Sequence, residues 1–456
     1  MKANPNYVST TNACKLCKPL GACLAFRGID GTVPFLHGSQ GCATYMRRYI
    51  ISHFREPMDI ASSSLGEKHA VYGGGANLKQ GLKNVMDKYG AKLIGIATTC
   101  LTETIGDDVP MILNEFRQKM AKQKGKKKYL PSLVSVSTPS YSGTHMEGFH
   151  AAVKAVIDQL AMNAGFIESI NLLPGFLSPA DIRYLKEVLE DFGLPGIILP
   201  DVSETLDAPA RHDYEKIPVG GTPISDIRVM GGAKSTLEFG RTLFHKDTPG
   251  KLIAKRFMVP LHQMGSPIGL RESDHFFAVL EELTGRKSPK KYLYERGRLI
   301  DAYVDGHKYV FGKKAIVYGE EDLVVGITAF MAEIGIRPVL CASGGQSGRF
   351  REAIEEVTAS FLPDPPIVHE GMDFYEIAEE AEGCAPDLII GNSKGYPLAR
   401  QRQVPLIRVG FPIHDRFGGQ RILHIGYRGA QNLLDRIVNA FIEKKQEASP
   451  VGYSYM

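Results

Sequence analysis

Short apolar runs alternate with amphipathic stretches along almost the whole chain. The runs "TVPFLHG" (32–38), "KLIGIATT" (92–99), "SLVSVST" (132–138), "SINLLPG" (169–175), "GIILPDVS" (196–203), "DIRVMGG" (226–232), "KKAIVYG" (313–319), "RPVLCASGG" (337–345), "DLIIGNS" (387–393) and "PLIRVGFP" (405–412) predict strands. Helical patterns lie between them. "PADIRYLKEVLEDFGLPG" (179–196) repeats its apolar residues at helical spacing, with Pro near the start and Gly near the end, as helix chemistry prefers. Continuous apolar strands alternating with helices point to parallel sheets covered on both faces. The expected fold is therefore α/β, with several doubly wound domains in series. A length of 456 residues exceeds one ordinary core and fits two to four domains. Breaks are expected near 165, before "SINLLPG", and near 300, which gives segments 1–165, 166–300 and 301–456.

Composition narrows the class without naming it. The chain is 43% hydrophobic and 23% charged, ordinary for a globular protein, and its formal charge of +4 gives no case for nucleic acid or a membrane surface. No apolar run approaches the roughly 18 residues of a membrane span. The start, "MKANPNYVSTTNACKLCK", lacks the apolar core of a secretory signal, so the expected location is the cytoplasm. The basic run "KQKGKKKY" (122–129) reads as a solvated loop. No short-period repeat is present, and no GxxxxGK[ST] phosphate loop.

In the cytoplasm disulfides are rare and cysteines are more often ligands or catalysts. The seven are Cys14, Cys17, Cys23, Cys42, Cys100, Cys341 and Cys384, and five fall in the first 100 residues. In "PFLHGSQGCATY" (34–45) a strand-like run enters a turn with glycines at 38 and 41, then places Cys42 at the start of a helical pattern. A thiol at a helix N-terminus sits in positive potential that favours thiolate. Cys100 ends a strand run, and Cys17 precedes "PLGACLAF". Three thiols can thus converge on the carboxyl edge of one sheet, where ligands of open α/β folds sit. Soft thiolates there suit an iron–sulfur cluster or zinc, but a second CxxC is absent. A cluster normally wants four thiolates, so three imply that a partner supplies the rest. Cys23, Cys341 and Cys384 read as buried packing residues. His37 and Ser39 read as capping the turn. "YGGGANLKQGL" (72–82) could hold an anion at a helix N-terminus, and "TETIGDD" (102–108) reads as a helix cap.

"CKPLGA" (17–22), "HGSQGC" (37–42), "HFREP" (53–57), "TTCLTETIGDD" (98–108) and "TPSYSGTHMEGF" (138–149), in that order, resemble the β-type subunits of the nitrogenase superfamily. The likeness continues through "NLLPGFLSPADIR" (171–183), "GGTPISDI" (220–227), "GSPIGLRESDHF" (265–276) and "VGFPIHDRFGGQRILHIGYRGAQNLLDRI" (409–437), covering nearly the whole chain. The resemblance implies three Rossmann-like doubly wound α/β domains, an α2β2-type tetramer, and an iron–sulfur cluster shared between unlike subunits. By that resemblance Cys42 is the cluster ligand, Cys17 and Cys100 match the other two cysteine positions, and Ser140 matches a serine that joins the oxidised cluster. Gly38 and Gly41 would let backbone approach it. Both a [4Fe-4S] and a P-cluster-like [8Fe-7S] assignment remain open.

Two kinds of β-type subunit carry this pattern: that of dinitrogenase and that of the scaffold on which the iron–molybdenum cofactor is matured. The scaffold is favoured because only 16 residues precede Cys17 and because 295–326 and 391–424 are more scaffold-like. The β subunit of another nitrogenase-like reductase is a third reading. The scaffold reading implies a NifE-like α subunit holding most of the cofactor precursor, a NifH-like ATP-hydrolysing iron protein, and a NifB-like precursor donor. It implies no turnover by this chain alone.

Overall fold

The computed structural model describes residues 12–122, 130–210, 212–213 and 215–451. Beyond Lys122, the basic run lies outside the described residues. The chain forms two compact units, one of residues 16–239 with 246–263, the other of 240–245 and 264 onward with residues 12–15.

The first unit opens with a four-stranded sheet ordered β2-β1-β3-β4, from β1 (Thr32–His37), β2 (Ala61–Ser62), β3 (Leu93–Thr98) and β4 (Ser132–Val136), all parallel. Every residue of β1 and β3 is buried, as their unbroken apolar runs require. Pro34 has no N–H to give and lies beyond the ladder to β2, which pairs only with Phe35 and Leu36. Around the sheet run α1 (Lys18–Arg27), α2 (Gln40–Phe54), α3 (Gly75–Tyr89), α4 (Cys100–Ile105), α5 (Val109–Lys122) and α6 (His145–Leu160). Leu78 and Leu82 of α3 and Phe116 of α5 close over Phe35, Ile94 and Ile96. Nearly all of α1 is buried, and it meets α6 through glycines. A Cβ on Gly21 would stand 1.6 Å from the His145 carbonyl oxygen, and one on Gly148 1.8 Å from that of Lys18.

The second sheet of this unit is ordered β6-β5-β7-β8, from β5 (Ile167–Leu173), β6 (Gly196–Ile198), β7 (Ala233–Phe239) and β8 (Leu261–Met264). Its helix α7 (Pro179–Asp191) starts where the sequence places it: Ser178 caps it by accepting the Asp181 N–H at 3.0 Å. The strand expected at 226–232 is instead a helix, Ile224–Val229, and the strand follows it. Ile224, Ile227 and Met230 have helical spacing, whereas β7 buries Ser235, Thr236 and Glu238, which an apolar scan passes over. Glu238 is satisfied by Thr248, Gly250 and Gln263.

The second unit holds a parallel five-stranded sheet ordered β11-β10-β9-β12-β13, from β9 (Lys314–Gly319), β10 (Arg337–Ser343), β11 (Ile367–His369), β12 (Leu388–Gly391) and β13 (Leu406–Arg408). Two long helices, α8 (Lys290–Val310) and α9 (Gly426–Glu447), pack on each other. Helix α8 runs unbroken through residue 300, where the sequence suggests a break. Among the described residues no helix is long and apolar enough to cross a membrane.

Candidate metal centre

The carboxyl ends of β1, β3 and β4, three neighbours in one sheet, each run into a polar turn. Cys42 is the third residue of α2, Cys100 the first of α4, and Cys17 the residue that caps α1. All three thiols therefore sit at helix N-termini, in the positive end of the peptide dipoles. All three are half-buried, whereas Cys14, Cys23, Cys341 and Cys384 are buried. Burial pushes the Cys14 and Cys341 thiols up to about 12 and raises those of Cys23 and Cys384. Those four stay protonated and pack, as expected for Cys23, Cys341 and Cys384.

Threonines lace the turns together. The Thr99 N–H, the Thr99 hydroxyl and the Thr102 hydroxyl all donate to the His37 carbonyl, at 3.1, 3.2 and 2.9 Å. The Thr138 N–H donates to the Thr98 hydroxyl at 2.9 Å, and the Thr138 hydroxyl to the Thr98 carbonyl at 2.7 Å. The β4 turn is thereby held against the β3 turn, and the Ser140 N–H donates to Cys100 Sγ at 3.2 Å. Cys17 bridges to Thr144, which caps α6, while Lys18 Nζ donates to Ser142 Oγ at 2.9 Å. Cys42 Sγ accepts the Ser39 hydroxyl at 3.4 Å. Tyr45, one turn on from Cys42, has its hydroxyl pKa raised by burial, then by Tyr49 and by the charge of Cys17.

The Cys42 and Cys100 sulfurs each accept one hydrogen bond, from the Ser39 hydroxyl and the Ser140 N–H, and cysteine sulfur is a soft ligand suited to iron–sulfur clusters. The donor set fits an iron–sulfur cluster in that sense. Among the described residues no three His, Cys, Asp or Glu side chains gather as a cage for a single ion. Gly41 is exposed, and a Cβ there would have only Ser39 Oγ near it, at 3.9 Å, so its face is open to a ligand. Gly38 differs from expectation. Its N–H is taken by Ser63 Oγ at 2.9 Å, and a Cβ would lie 2.2 Å from Thr99 Oγ1, so its missing side chain serves packing.

His37 does more than cap. Fully buried, it contacts Ser63 Oγ through Nδ1 at 2.9 Å and Asp107 Oδ2 through Nε2 at 3.0 Å. Asp107 also accepts the Gly74 N–H at the start of α3, at 2.9 and 3.1 Å. The glycine-rich turn at 73–75 thus has its anion, a carboxylate of the same chain. Asp108 accepts the Met111 N–H at 2.9 Å, so "TETIGDD" caps helices, as the sequence suggests. Burial, outweighing the Asp107 charge, holds the His37 pKa below 6.5. The unfolded chain then binds a proton that the folded chain refuses, so stability is full above about pH 6.5 and falls as pH drops through the folded value. The thermal midpoint is expected to fall between about pH 7 and pH 5, with a shallower slope in His37→Asn. Parallel pH profiles of the two proteins would refute the assignment.

A family profile described as nitrogenase component 1 type oxidoreductase matches residues 17–442. The chain is 35% identical to the nitrogenase molybdenum-iron protein beta chain of Clostridium pasteurianum, over 95% of this chain and 93% of that one. It is 38% identical to the beta chain of Methanothermobacter thermautotrophicus, over 94% of each, and 32% identical to that of Azotobacter vinelandii, over 96% of this chain and 85% of that one. The solved structure titled "Nitrogenase Cp1 at pH 6.5" superposes with a TM-score of 0.94, covering 99% of this chain and 97% of that one at 33% identity.

Proposed function

The chain belongs to the nitrogenase component 1 type oxidoreductases as a β-like subunit, and from that premise we propose that it works on a scaffold where the iron–molybdenum cofactor is matured. The observation that supports a cluster on this chain, in a scaffold or a catalytic β subunit alike, is the division of the seven cysteines. Three thiols at helix N-termini are half-buried, two of them following strands of one sheet, and the other four are buried. In this reading Cys42 holds an iron–sulfur cluster together with Cys17 and Cys100, and an α-type partner of the NifE kind completes the ligand set. Ser140 stands beside Cys100 as a further oxygen ligand, and Gly41 leaves room for the cluster's sulfides. When bound, the cluster relays electrons. The chain's own part is to present three cysteine sulfurs and keep them fixed. Cofactor precursor rests mainly on the partner, supplied by a NifB-like donor, and a NifH-like iron protein brings electrons and hydrolyses ATP.

An exposed apolar stripe supports assembly with other subunits. Leu293, Ile300 and Val304 recur at helical spacing on the outer side of α8, and Phe311 continues the line. The scaffold role draws its support from the sequence alone, in the stretches 295–326 and 391–424. Chain length no longer discriminates, because the clostridial and methanogen beta chains are matched over 93–94% of their length. A second reading, the catalytic β subunit, is favoured by the names of those relatives and by the presence of all three cysteines.

One paired assay separates the readings. The chain is co-expressed with its α-type partner, purified without oxygen and given iron protein and ATP. Restored activity of a cofactor-less nitrogenase, with little dinitrogen reduction by the complex itself, is the expected result. Vigorous dinitrogen reduction would overturn the scaffold role. In the same preparation Cys341→Ala is expected to leave iron content unchanged, and iron loss there would show the site misplaced.

A further inference from the structure

The edge strand β13 and the helix α9 enclose a groove of about 610 Å³ with the loop 413–423 between them. We propose that this groove binds a small organic oxyanion carrying at least two carboxylate or phosphate groups. The inference is independent of the cysteine site.

Its walls carry more guanidinium than carboxylate. Arg408 grips Asp415 with Nε at 2.9 and 3.0 Å and Nη2 at 2.6 Å. Arg416 also leans on Asp415, at 3.8 Å. One carboxylate therefore answers two cations. A third, Arg436, donates Nη2 to the Arg408 carbonyl at 3.0 Å and has no carboxylate at ion-pair distance. Burial and then the Arg408 charge press the Arg436 pKa down, as for a cation short of a counter-ion. The other acid on the wall, Asp435, makes no ion pair, and burial raises its pKa. A partly buried guanidinium without an anion is costly, and a bound oxyanion relieves that cost.

Size and shape narrow the ligand. The volume falls in the range of small-molecule sites, roughly 300–1,000 Å³, larger than one inorganic ion needs. Ile407 and Leu433 give an apolar side, and Phe417, 81% exposed, stands at the rim. Several guanidinium forks around one space favour planar carboxylates or phosphates over a lone halide. An organic body with two anionic ends matches both the charge and the apolar wall.

The test is calorimetry on the anaerobically purified complex with its α-type partner at low ionic strength. Citrate and pyrophosphate are the probes, with acetate as the monovalent control. Citrate or pyrophosphate is expected to bind with Kd below about 1 mM, at least about tenfold tighter than acetate. Arg436→Gln is expected to weaken that binding about tenfold or more while the thermal midpoint without ligand stays within a few degrees. The tighter of the two probes identifies the carboxylate or the phosphate source. Absence of binding by both, or equal affinity in Arg436→Gln, overturns the site. Should that variant fail to fold, Arg416→Gln at the exposed rim replaces it, and unchanged affinity there overturns the site equally.

Discussion

Cys42→Ala is expected to strip the complex of the proposed shared cluster, with iron in the anaerobically purified assembly falling by about four atoms or more per αβ pair, the content of the smallest cluster considered. The reason is positional. Cys42 is the one thiol of the three set in the first turn of a long helix, with the open face of Gly41 beside it and the Ser39 hydroxyl on its sulfur. A substitution there removes the proposed anchor without touching the core, since Ala43 and Met46, not Cys42, face inward. The assembly should loosen with the iron, because a cluster held from both sides joins the subunits. Unchanged iron would eliminate Cys42 as a ligand. Running Cys17→Ala and Cys100→Ala alongside tells a single-anchor cluster from one held by all three.

Gly21→Ala is expected to be the most damaging single-methyl change in the cysteine-bearing unit. Its Cβ would stand 1.6 Å from the His145 carbonyl oxygen, 2.6 Å from the carbon and 2.8 Å from the Phe149 nitrogen. All are backbone atoms, so no flexible side chain can yield, and α1 must move off α6. Overpacking usually costs about 1–3 kcal/mol and more where backbones must part. A loss of about 3 kcal/mol or more lowers the thermal midpoint of a domain this size by about 6 °C or more. Because Cys17 caps α1, iron content should fall too. Gly90→Ala is the contrast. Its φ of +64° makes alanine strained, but nothing lies within 4 Å of the new Cβ, so the cost is about 1 kcal/mol. Equal midpoints for the two variants would refute the close-contact account.

Much of this was legible in the chain. The buried strands β1, β3, β9, β10 and β12 announce themselves as continuous apolar runs, and the turns of Cys42 and Cys100 follow from where two of the runs end. The sorting of Cys23, Cys341 and Cys384 into packing followed from their core-like surroundings, and all three are buried. Other features were invisible for physical reasons. Strand β7 hides because Glu238 is buried with three partners from distant residues. The pairing of Gly21 with Gly148 is a contact between helices more than a hundred residues apart, and each glycine alone looks like a helix weakness. The link from His37 to Asp107 joins residues 70 apart, so no local pattern predicts that the carboxylate closes the glycine turn. The arginine groove depends on tertiary placement, since Arg408 and Arg436 come from a strand and a helix that only folding brings side by side.

The threonine lacing has a consequence for the rate of electron flow. A redox centre slows when its surroundings must rearrange each time charge arrives or leaves. Here the turns bearing Cys42 and Cys100 share one carbonyl of β1, and the Ser140 turn is tied to the end of β3 by two short hydrogen bonds. Those anchors belong to the rigid sheet and are already satisfied before any electron comes, so they need not shift in response. For the relay proposed above, such a frame means low reorganisation energy, and a chain that spends its threonines on stillness.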